Sequence, residues 1–350
     1  MDARKRWVAI AHRNDAGWRL SLPSPVGDVG NFLDRLLQQA DGGAVALGVD
    51  LPLGLPRAFA AQRSEPDFPA FLRGVVRIPE FFQVCAHLDE LGPNRPFYPA
   101  RGIKGMTRAS HAERLGFGSA AGLSRDCDRA TAERPAGAPL FWTLGANQTG
   151  KAAIAAWRDM LLPAFAKNTP LRLWPFEGPF LSLLTPGTIA LAETYPAEAL
   201  RHLGIRLVGS KRRQSDRARV ADGLFTAMTA LNAKPEPALT ELVRNGCGAD
   251  AAGEDRFDCL LGVLCVLNVL AGNRPDKIPA KIPATIPVTA PIAALNDCWI
   301  ERWEGWVLGQ TALPAEPARP ACPQTGPNGV RAAIRQRTVA SESRYRGQPD

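Results

Sequence analysis

The chain has 350 residues, enough to bury a sizeable core in one large or two ordinary domains, and its 45% hydrophobic and 22% charged residues are typical of a globular protein. The basic segment Met1–Trp7 is not followed by an apolar stretch, which argues against a secretory signal, and the longest apolar run, Leu260–Gly272, is shorter than the roughly 20 residues that span a bilayer. We therefore expect a cytoplasmic protein without a membrane partner.

The seven cysteines are scattered, at positions 85, 127, 247, 259, 265, 298 and 322. No Cys-x-x-Cys pair occurs, so the sequence does not indicate a zinc ribbon or a thioredoxin-like redox site. We expect all seven to be reduced thiols, with Cys259 and Cys265 packed as small core residues.

The net charge of +8 permits a polyanionic partner without requiring one. Two segments concentrate the positive charge: residues 95–134 carry eight bases against four acids, and residues 211–219 carry five bases against one acid. A solvated helix face explains either segment, and so does contact with a phosphate-rich substrate.

The N-terminal part predicts the opening of a mixed α/β sheet. Trp7–Ala11 and Trp18–Leu22 predict two strands around a turn at Asn14–Gly17, and Asn31–Ala40 has helical spacing. The apolar run Ala44–Val49 predicts a strand buried on both faces.

After the break at Leu51–Pro56, residues 57–147 predict a large helical and loop-rich insertion, with helices at His111–Leu115 and Ser124–Glu133. Further elements are predicted downstream: strands at Leu171–Trp174 and Thr188–Ala192, and helices at Gln148–Phe165, Pro196–Leu203, 215–232, 236–245 and Asp255–Ala271. The proline-rich residues 273–293 predict an extended loop. We expect one domain over residues 1–310 and a disordered tail over 311–350.

Four acids stand where these elements begin or end. Asp50 closes the first apolar strand, Glu193 follows a later strand, and Asp255 and Asp258 share a face at the start of an apolar helix. Gly262, one turn further, is expected to let that helix approach the sheet closely. Clustered carboxylates repel one another, and a bound Mg²⁺ or Mn²⁺ ion usually offsets this repulsion. These hard cations take oxygen ligands and can align water and phosphate for in-line displacement. Each acid alone also has a structural explanation, such as a favourable helix N-terminus for Asp255 or a capped turn for Asp50.

Several stretches of the chain resemble the domain-of-unknown-function 429 family of predicted RNase H-like nucleases: Gly48–Pro56, Glu193–Pro196, Asp255–Asp258 and Glu304–Gly309. The resemblance covers most of residues 7–309, and its most specific string is Asp-x-Pro-Leu-Gly-Leu-Pro, which begins at Asp50. It implies an RNase H-like fold with a mixed five-stranded sheet flanked by helices, and hydrolysis of phosphodiesters. On that basis Asp50 and Glu193 are strand-end metal ligands, and Asp255 and Asp258 are helix ligands.

One position departs from the family. Its first strand usually ends in Asp before a Gly-Trp turn, whereas the equivalent stretch here, Val8–Trp18, places His12 there. Imidazole binds metals but suits Mg²⁺ less well than a carboxylate, so His12 is a further candidate ligand and Asp15 an alternative. This departure is compatible with an active site, with a site that prefers a different metal ion, and with an inactive site.

The stretch Gly145–Lys151 has the glycine and lysine spacing of a P-loop, but Ala152 stands where Ser or Thr would hold Mg²⁺. There are two alternatives to a P-loop: a helix N-terminus at which Lys151 binds a substrate phosphate, and a plain helix start. In the loop Tyr98–His111, Arg101, Lys104 and Arg108 either bind a phosphate backbone or belong to a solvated loop.

The sequence thus favours a metal-dependent phosphodiester hydrolase, a nuclease with nucleic acid as its partner. A non-catalytic protein that binds nucleic acid or a phosphorylated metabolite is the first alternative, and a phosphotransferase that uses Lys151 is the second.

Overall fold

The computed structural model describes residues 6–98, 102–144, 148–279 and 299–314. Across these ranges the protein is mixed α/β, as the sequence predicts, with three small sheets and eleven α-helices. The strands are β1 (Trp7–Val8), β2 (Ala11–Asn14), β3 (Gly17–Leu20), β4 (Ser24–Pro25), β5 (Val45–Val49), β6 (Leu171–Leu173), β7 (Ile189–Glu193) and β8 (Ala233–Pro235).

The N-terminal hairpin forms around the predicted turn. β2 and β3 are antiparallel, with Asn14 opposite Gly17, and Asn14 Oδ1 accepts a hydrogen bond from the Ala16 amide at 3.0 Å. The first strand is interrupted at residues 9–10, so that β1 pairs separately with β4. On its other edge β3 pairs in parallel with β8.

A second sheet has the order β5-β7-β6, all parallel. Every residue of the central strand β7 is buried, whereas β5 is only half-buried apart from Val49. Both faces of β5 nevertheless pack against apolar residues, as the sequence predicts: Val45 and Leu47 contact one core cluster and Ala46 contacts another.

The sheet implied by the family resemblance is not continuous. No five-stranded sheet is present in the described part of the chain, and the largest sheets have three strands. The reason is the pairing of the hairpin, since β3 bonds to β8 and not to β5.

The helices follow the prediction closely except in the insertion. They are α1 (Phe32–Ala40), α2 (Arg57–Ala60), α3 (Phe68–Gly74), α4 (Arg108–Arg114), α5 (Thr149–Ile154), α6 (Leu162–Ala166), α7 (Pro196–His202), α8 (Gln214–Ala218), α9 (Ala221–Ala230), α10 (Pro237–Arg244) and α11 (Gly253–Leu270). A π-helical segment, Ala155–Leu161, joins α5 to α6 in the single helix that the sequence predicts.

The predicted helix at Ser124–Glu133 is absent; only a short 3₁₀ turn, Asp126–Asp128, forms there. Two charged side chains of this stretch, Arg125 and Asp128, are fully buried and bonded to one another, and Arg125 also binds Glu193 of β7. Long-range pairing therefore replaces a regular helix.

Two glycines join the segment after β5 to the end of the described chain. Gly54 has φ +129°, and a Cβ there would lie 2.0 Å from the carbonyl oxygen of Glu304. Gly305 has φ +69°, and a Cβ there would lie 2.1 Å from the carbonyl oxygen of Leu53. The Leu55 amide donates to the Trp303 carbonyl at 2.7 Å between them. The motif glycines are thus needed for backbone contact.

The insertion packs into the main core, where rings of Phe59, Phe71, Phe81, Phe97 and Phe141 meet at centroid distances between 4.9 and 6.3 Å. All described residues belong to one compact unit that ends at Pro314. Residues 280–293 of the expected proline-rich loop and nearly all of the expected tail lie outside the described residues. None of the described helices is long and apolar enough to cross a membrane.

Candidate active site

Two of the predicted acids stand at neighbouring strand ends. β5 and β7 are parallel with Val49 opposite Glu193, and the Thr194 amide donates to the Val49 carbonyl at 2.8 Å. Asp50 therefore follows β5 directly beside the point where β7 ends. The fold thus brings the two strand-end acids to the same edge of one sheet.

Helix α11 lies against β5, and Gly48 makes room for it. A Cβ at Gly48 would lie 2.8 Å from a methyl carbon of Val266 and 2.7 Å from the methyl carbon of Thr194. Gly262 was expected to serve this purpose, but a Cβ there would lie no closer than 3.8 Å to Thr194 Oγ1, which is ordinary van der Waals contact. The close approach thus depends on the strand glycine.

The first turns of α11 bring Asp258 to a lysine from a distant loop. Lys211 Nζ donates to Asp258 Oδ2 at 2.6 Å and lies 3.8 Å from Glu254 Oε1. Asp258 Oδ1 is buried without a hydrogen-bond partner in the described residues. Lys211 thus serves as a cation for two acids of α11.

Electrostatics join Asp50 to this pair. Asp50 is exposed at the sheet edge, yet partial desolvation of its carboxyl group, with the like charge of Asp258, raises its pKa to about 7 despite Lys211. Burial also raises the pKa of Asp258, against the opposing effect of Lys211. Burial by itself would lower the pKa of Lys211, but Asp258, Asp50 and Glu254 raise it. The acidic group therefore holds more negative charge than one lysine compensates.

Glu193 has a different set of partners. Arg125 Nη1 donates to Glu193 Oε2 at 2.7 Å and Arg125 Nη2 donates to Oε1 at 2.8 Å, in a two-point ion pair. The Leu53 amide also donates to Oε2 at 2.7 Å. Arg125 binds Asp128 in turn, at 2.8 and 3.0 Å, and Tyr195 Oη donates to Asp128 at 2.9 Å.

This buried network defines the environment of Glu193. Arg125, Asp128 and Glu193 are fully shielded from solvent. Burial raises the pKa of Glu193, while the charge and hydrogen bonds of Arg125 act in the opposite direction. Both carboxylate oxygens are thus engaged by protein donors, and Oε2 also holds the Leu53 amide, three residues after Asp50.

A cavity of about 310 Å³ opens next to the lysine. Lys211 and Asp258 form part of its wall, together with residues of α7 and of the loop that begins at Ile205. Asp258 and Lys211 are thus accessible to a ligand in this cavity.

The chain matches no known family model, no curated protein and no solved structure. The chemistry of the site is therefore the basis for its interpretation.

The other predicted metal ligands are less closely placed. Asp255 is half-buried on the first turn of α11, where its charge raises the pKa of Asp258. His12 is exposed on β2, opposite Arg19, and no hydrogen bond or ion pair of the described residues joins it to Asp50 or Asp258. No group of three or more His, Cys, Asp and Glu side chains suited to a metal ion occurs in the described ranges. The structure thus brings Asp50 and Asp258 together and leaves His12 apart.

The predicted phosphate-binding bases are spread over the insertion. Lys104 and Arg108 are exposed, and Arg108 lies over the Trp142 ring at 5.8 Å from its centroid, while Arg101 lies outside the described residues. Lys151 is half-buried near the start of α5. The Gly150 amide, which a phosphate would need, donates instead to the Trp142 carbonyl at 2.8 Å. This bond favours a plain helix start over a P-loop, whose residues 145–147 lie outside the described ranges.

The basic segment 211–219 is partly used within the protein, while Arg212 and Arg213 are exposed. Arg217 is buried and donates to the carbonyls of Lys211, Gly246 and Gly248, and Arg219 pairs with Asp216.

The five cysteines in the described part of the chain are free thiols, as expected; Cys298 and Cys322 lie outside it.

Sequence reasoning missed the cations that these acids meet. The sequence indicates Lys211 only as part of a basic segment, and Arg125 only as one of the eight bases of residues 95–134. The i, i+3 spacing of Arg125 and Asp128 was a local signal for an ion pair, but it did not point to Glu193.

Proposed function

We propose that the protein is a metal-dependent phosphodiesterase, a nuclease of RNase H-like type, whose active centre is built on Asp50 and Asp258. One observation carries the proposal: Lys211 binds the helix acid Asp258 beside an open cavity, and the charges of both act on the strand-end acid Asp50. Carboxyl groups whose pKa values are shifted by burial and by a neighbouring like charge are typical of functional sites.

The resemblance of the Asp50 and Asp258 motifs to the domain-of-unknown-function 429 family supports the same reaction. The order of hairpin, α1 and β5 is compatible with the opening of an RNase H-like sheet. Nucleic acid is accordingly the proposed partner.

The donor set fits Mg²⁺ or Mn²⁺. Mg²⁺ keeps several waters and is commonly held by one or two carboxylates together with substrate phosphates, so a three-residue cage is not required. Asp258 Oδ1 is a buried acceptor that no donor among the described residues satisfies. Together with the Asp50 carboxylate it would hold the ion, with Asp255 adding negative charge behind Asp258.

When bound, the ion would supply Lewis-acid activation of phosphate and water. Lys211 would leave Asp258 and neutralise a phosphate oxygen, since its ammonium group lies on the wall of the cavity. Glu193 acts as a positioning residue in this scheme, because its carboxylate anchors the Leu53 amide three residues after Asp50.

The test is cleavage of a mixed panel of DNA and RNA substrates with Mn²⁺ and Mg²⁺, run beside Asp258→Asn. We expect metal-dependent cleavage that is lost in this variant. Asp250→Asn is the matched control, because Asp250 is an exposed acid shortly before α11 that pairs with Arg256. If no substrate of the panel is cleaved with Mn²⁺ and none with Mg²⁺, the proposal is overturned.

A non-catalytic binding protein is the second candidate, and the Lys211–Asp258 ion pair favours it, since an ammonium group already compensates the acid. Tight, salt-dependent nucleic-acid binding without cleavage would identify that function.

A further inference from the structure

The cavity beside Lys211 has two chemically distinct parts. Its floor is aliphatic and is formed by Pro196 and Leu200 of α7, Ile205 and Leu207 of the following loop, and Leu261 of α11. Its volume of about 310 Å³ lies at the lower end of the range for small-molecule sites. A flat or compact apolar group fits such a floor without leaving a polar atom unpaired.

Three basic residues line the polar side of the cavity, and they differ in how far neighbouring acids neutralise them. Arg201 is compensated, because it pairs with Glu198 below the cavity. Lys211 is shared between Asp258 and Glu254. Arg206 is exposed at the rim, and no hydrogen bond or ion pair of the described residues involves it. A phosphate at this wall would meet Arg206 and Lys211 together.

We propose that this cavity binds one compact phosphate ester of nucleotide size, with its base on the aliphatic floor and its phosphate at Arg206 and Lys211. The inference rests on the proposed function in placing the reacting phosphate beside Asp258. It adds that the substrate is a single nucleotide unit, free or at the end of a strand.

A long duplex fits the same surface poorly. Duplex binding relies on many cations that contact successive phosphates. In the segment next to the cavity, however, Arg217 is buried on backbone carbonyls and Arg219 is bound to Asp216. Of the bases that line the cavity, Arg201 is paired with Glu198, so that Lys211 and Arg206 suit one phosphate group.

Binding can be measured without turnover, by calorimetry of the full chain in EDTA. The ligands are adenosine monophosphate, glycerol 3-phosphate and inorganic phosphate, which differ in the apolar group they carry. We expect adenosine monophosphate to bind at least about tenfold more tightly than the other two, since burial of a base adds well over 1.4 kcal/mol.

Two variants locate the site. Ala197→Phe fills the cavity from an exposed position on α7 and is expected to weaken nucleotide binding about tenfold or more. Arg206→Glu places a negative charge at the rim and is expected to weaken all three phosphates. The matched controls are Ala230→Phe and Arg77→Glu, at exposed positions outside the cavity, and they should bind as the wild type does.

The outcomes separate this inference from the proposed function. Equal affinity for adenosine monophosphate and glycerol 3-phosphate, or unchanged binding in Ala197→Phe, overturns the inference even if the protein cleaves nucleic acid. Selective nucleotide binding that Ala197→Phe abolishes supports the inference even if no substrate is hydrolysed with any metal. Competition by a 5′-phosphorylated single strand, compared with a blunt duplex, separates free from strand-terminal nucleotides.

Discussion

Lys211 Nζ lies 2.6 Å from Asp258 Oδ2, so the ammonium group of a loop lysine stands where a helix acid and a strand-end acid need a cation. Lys211→Met therefore exposes the mutual repulsion of Asp50 and Asp258. We expect the metal-free variant to lose about 1 kcal/mol of stability, since the lysine is partly exposed and solvent screens the pair. The thermal shift on addition of Mn²⁺ should become larger than in the wild type.

Differential scanning fluorimetry with and without Mn²⁺ measures both effects. Lys167→Met, which removes an exposed pair with Asp34, is the control and should leave the Mn²⁺ shift unchanged. A smaller Mn²⁺ shift in Lys211→Met would contradict competition between the lysine and the metal.

Asp50→Asn is expected to stabilise the metal-free protein. The carboxyl group has a pKa of about 7 in the folded state, raised above its ordinary 3.8, so the folded state binds more protons than the unfolded state between these values. The cost of ionising Asp50 therefore grows from about pH 4 to pH 7 and then stays constant. Urea unfolding should show Asp50→Asn gaining stability over the wild type across that window, and an equal difference at pH 4 and pH 8 would rule out this origin.

Arg125→Met should destabilise the protein strongly, by about 4 kcal/mol, because Glu193 and Asp128 would remain buried without their shared cation. Arg129→Met, which removes an exposed pair with Asp126, should cost less than about 1 kcal/mol. Chemical denaturation of the two variants makes the comparison, and similar losses in both would show that the buried network contributes little.

Glu198 predicts a loss of stability in acid. Burial alone would raise its pKa, but the hydrogen bond to His202 and the charge of Arg201 lower it to about 2, below the ordinary 4.5. A depressed folded-state pKa stabilises the protein above the unfolded value, and this contribution is lost as pH falls from about 4.5 to 2. It is on the order of 3 kcal/mol for this buried group.

Urea unfolding at pH 5, 4 and 3 should therefore show a steep decline in the wild type that is much shallower in Glu198→Gln. Glu236→Gln, at an exposed pair with Arg19, should retain the wild-type slope. Parallel declines in wild type and Glu198→Gln would refute the assignment.

Gly54→Ala tests the backbone contact between the strand-end motif and the segment at Glu304. A methyl group would meet the Glu304 carbonyl oxygen at 2.0 Å, and φ of +129° is itself strained for alanine, so we expect a loss of about 3 kcal/mol or more. Gly187→Ala has a positive φ of +70° but open space, and should cost only about 1 kcal/mol. If thermal unfolding shows the same loss of stability for Gly54→Ala and Gly187→Ala, the close contact between Gly54 and Glu304 contributes little to stability.

Much of the local structure was predictable. α1 ends at Ala40, as predicted, β7 follows its apolar run to Glu193, and α11 begins two residues from the predicted start. These elements depend on apolar spacing and turn residues within a few positions of one another. The failed helix at Ser124–Glu133 shows the converse, because its Arg125 is drawn into the core by an acid 68 residues away.

The sequence by itself determined that Asp50 ends a strand and that Asp258 lies on the first turns of a helix, because both follow from local patterns. Only the tertiary structure decided which cation pairs with each acid. Lys211, 47 residues away along the chain, binds Asp258, and Arg125 binds Glu193 in the core. Those pairings depend on how α11 and the insertion pack against the sheet, and packing brings together charges whose separation along the chain carries no signal.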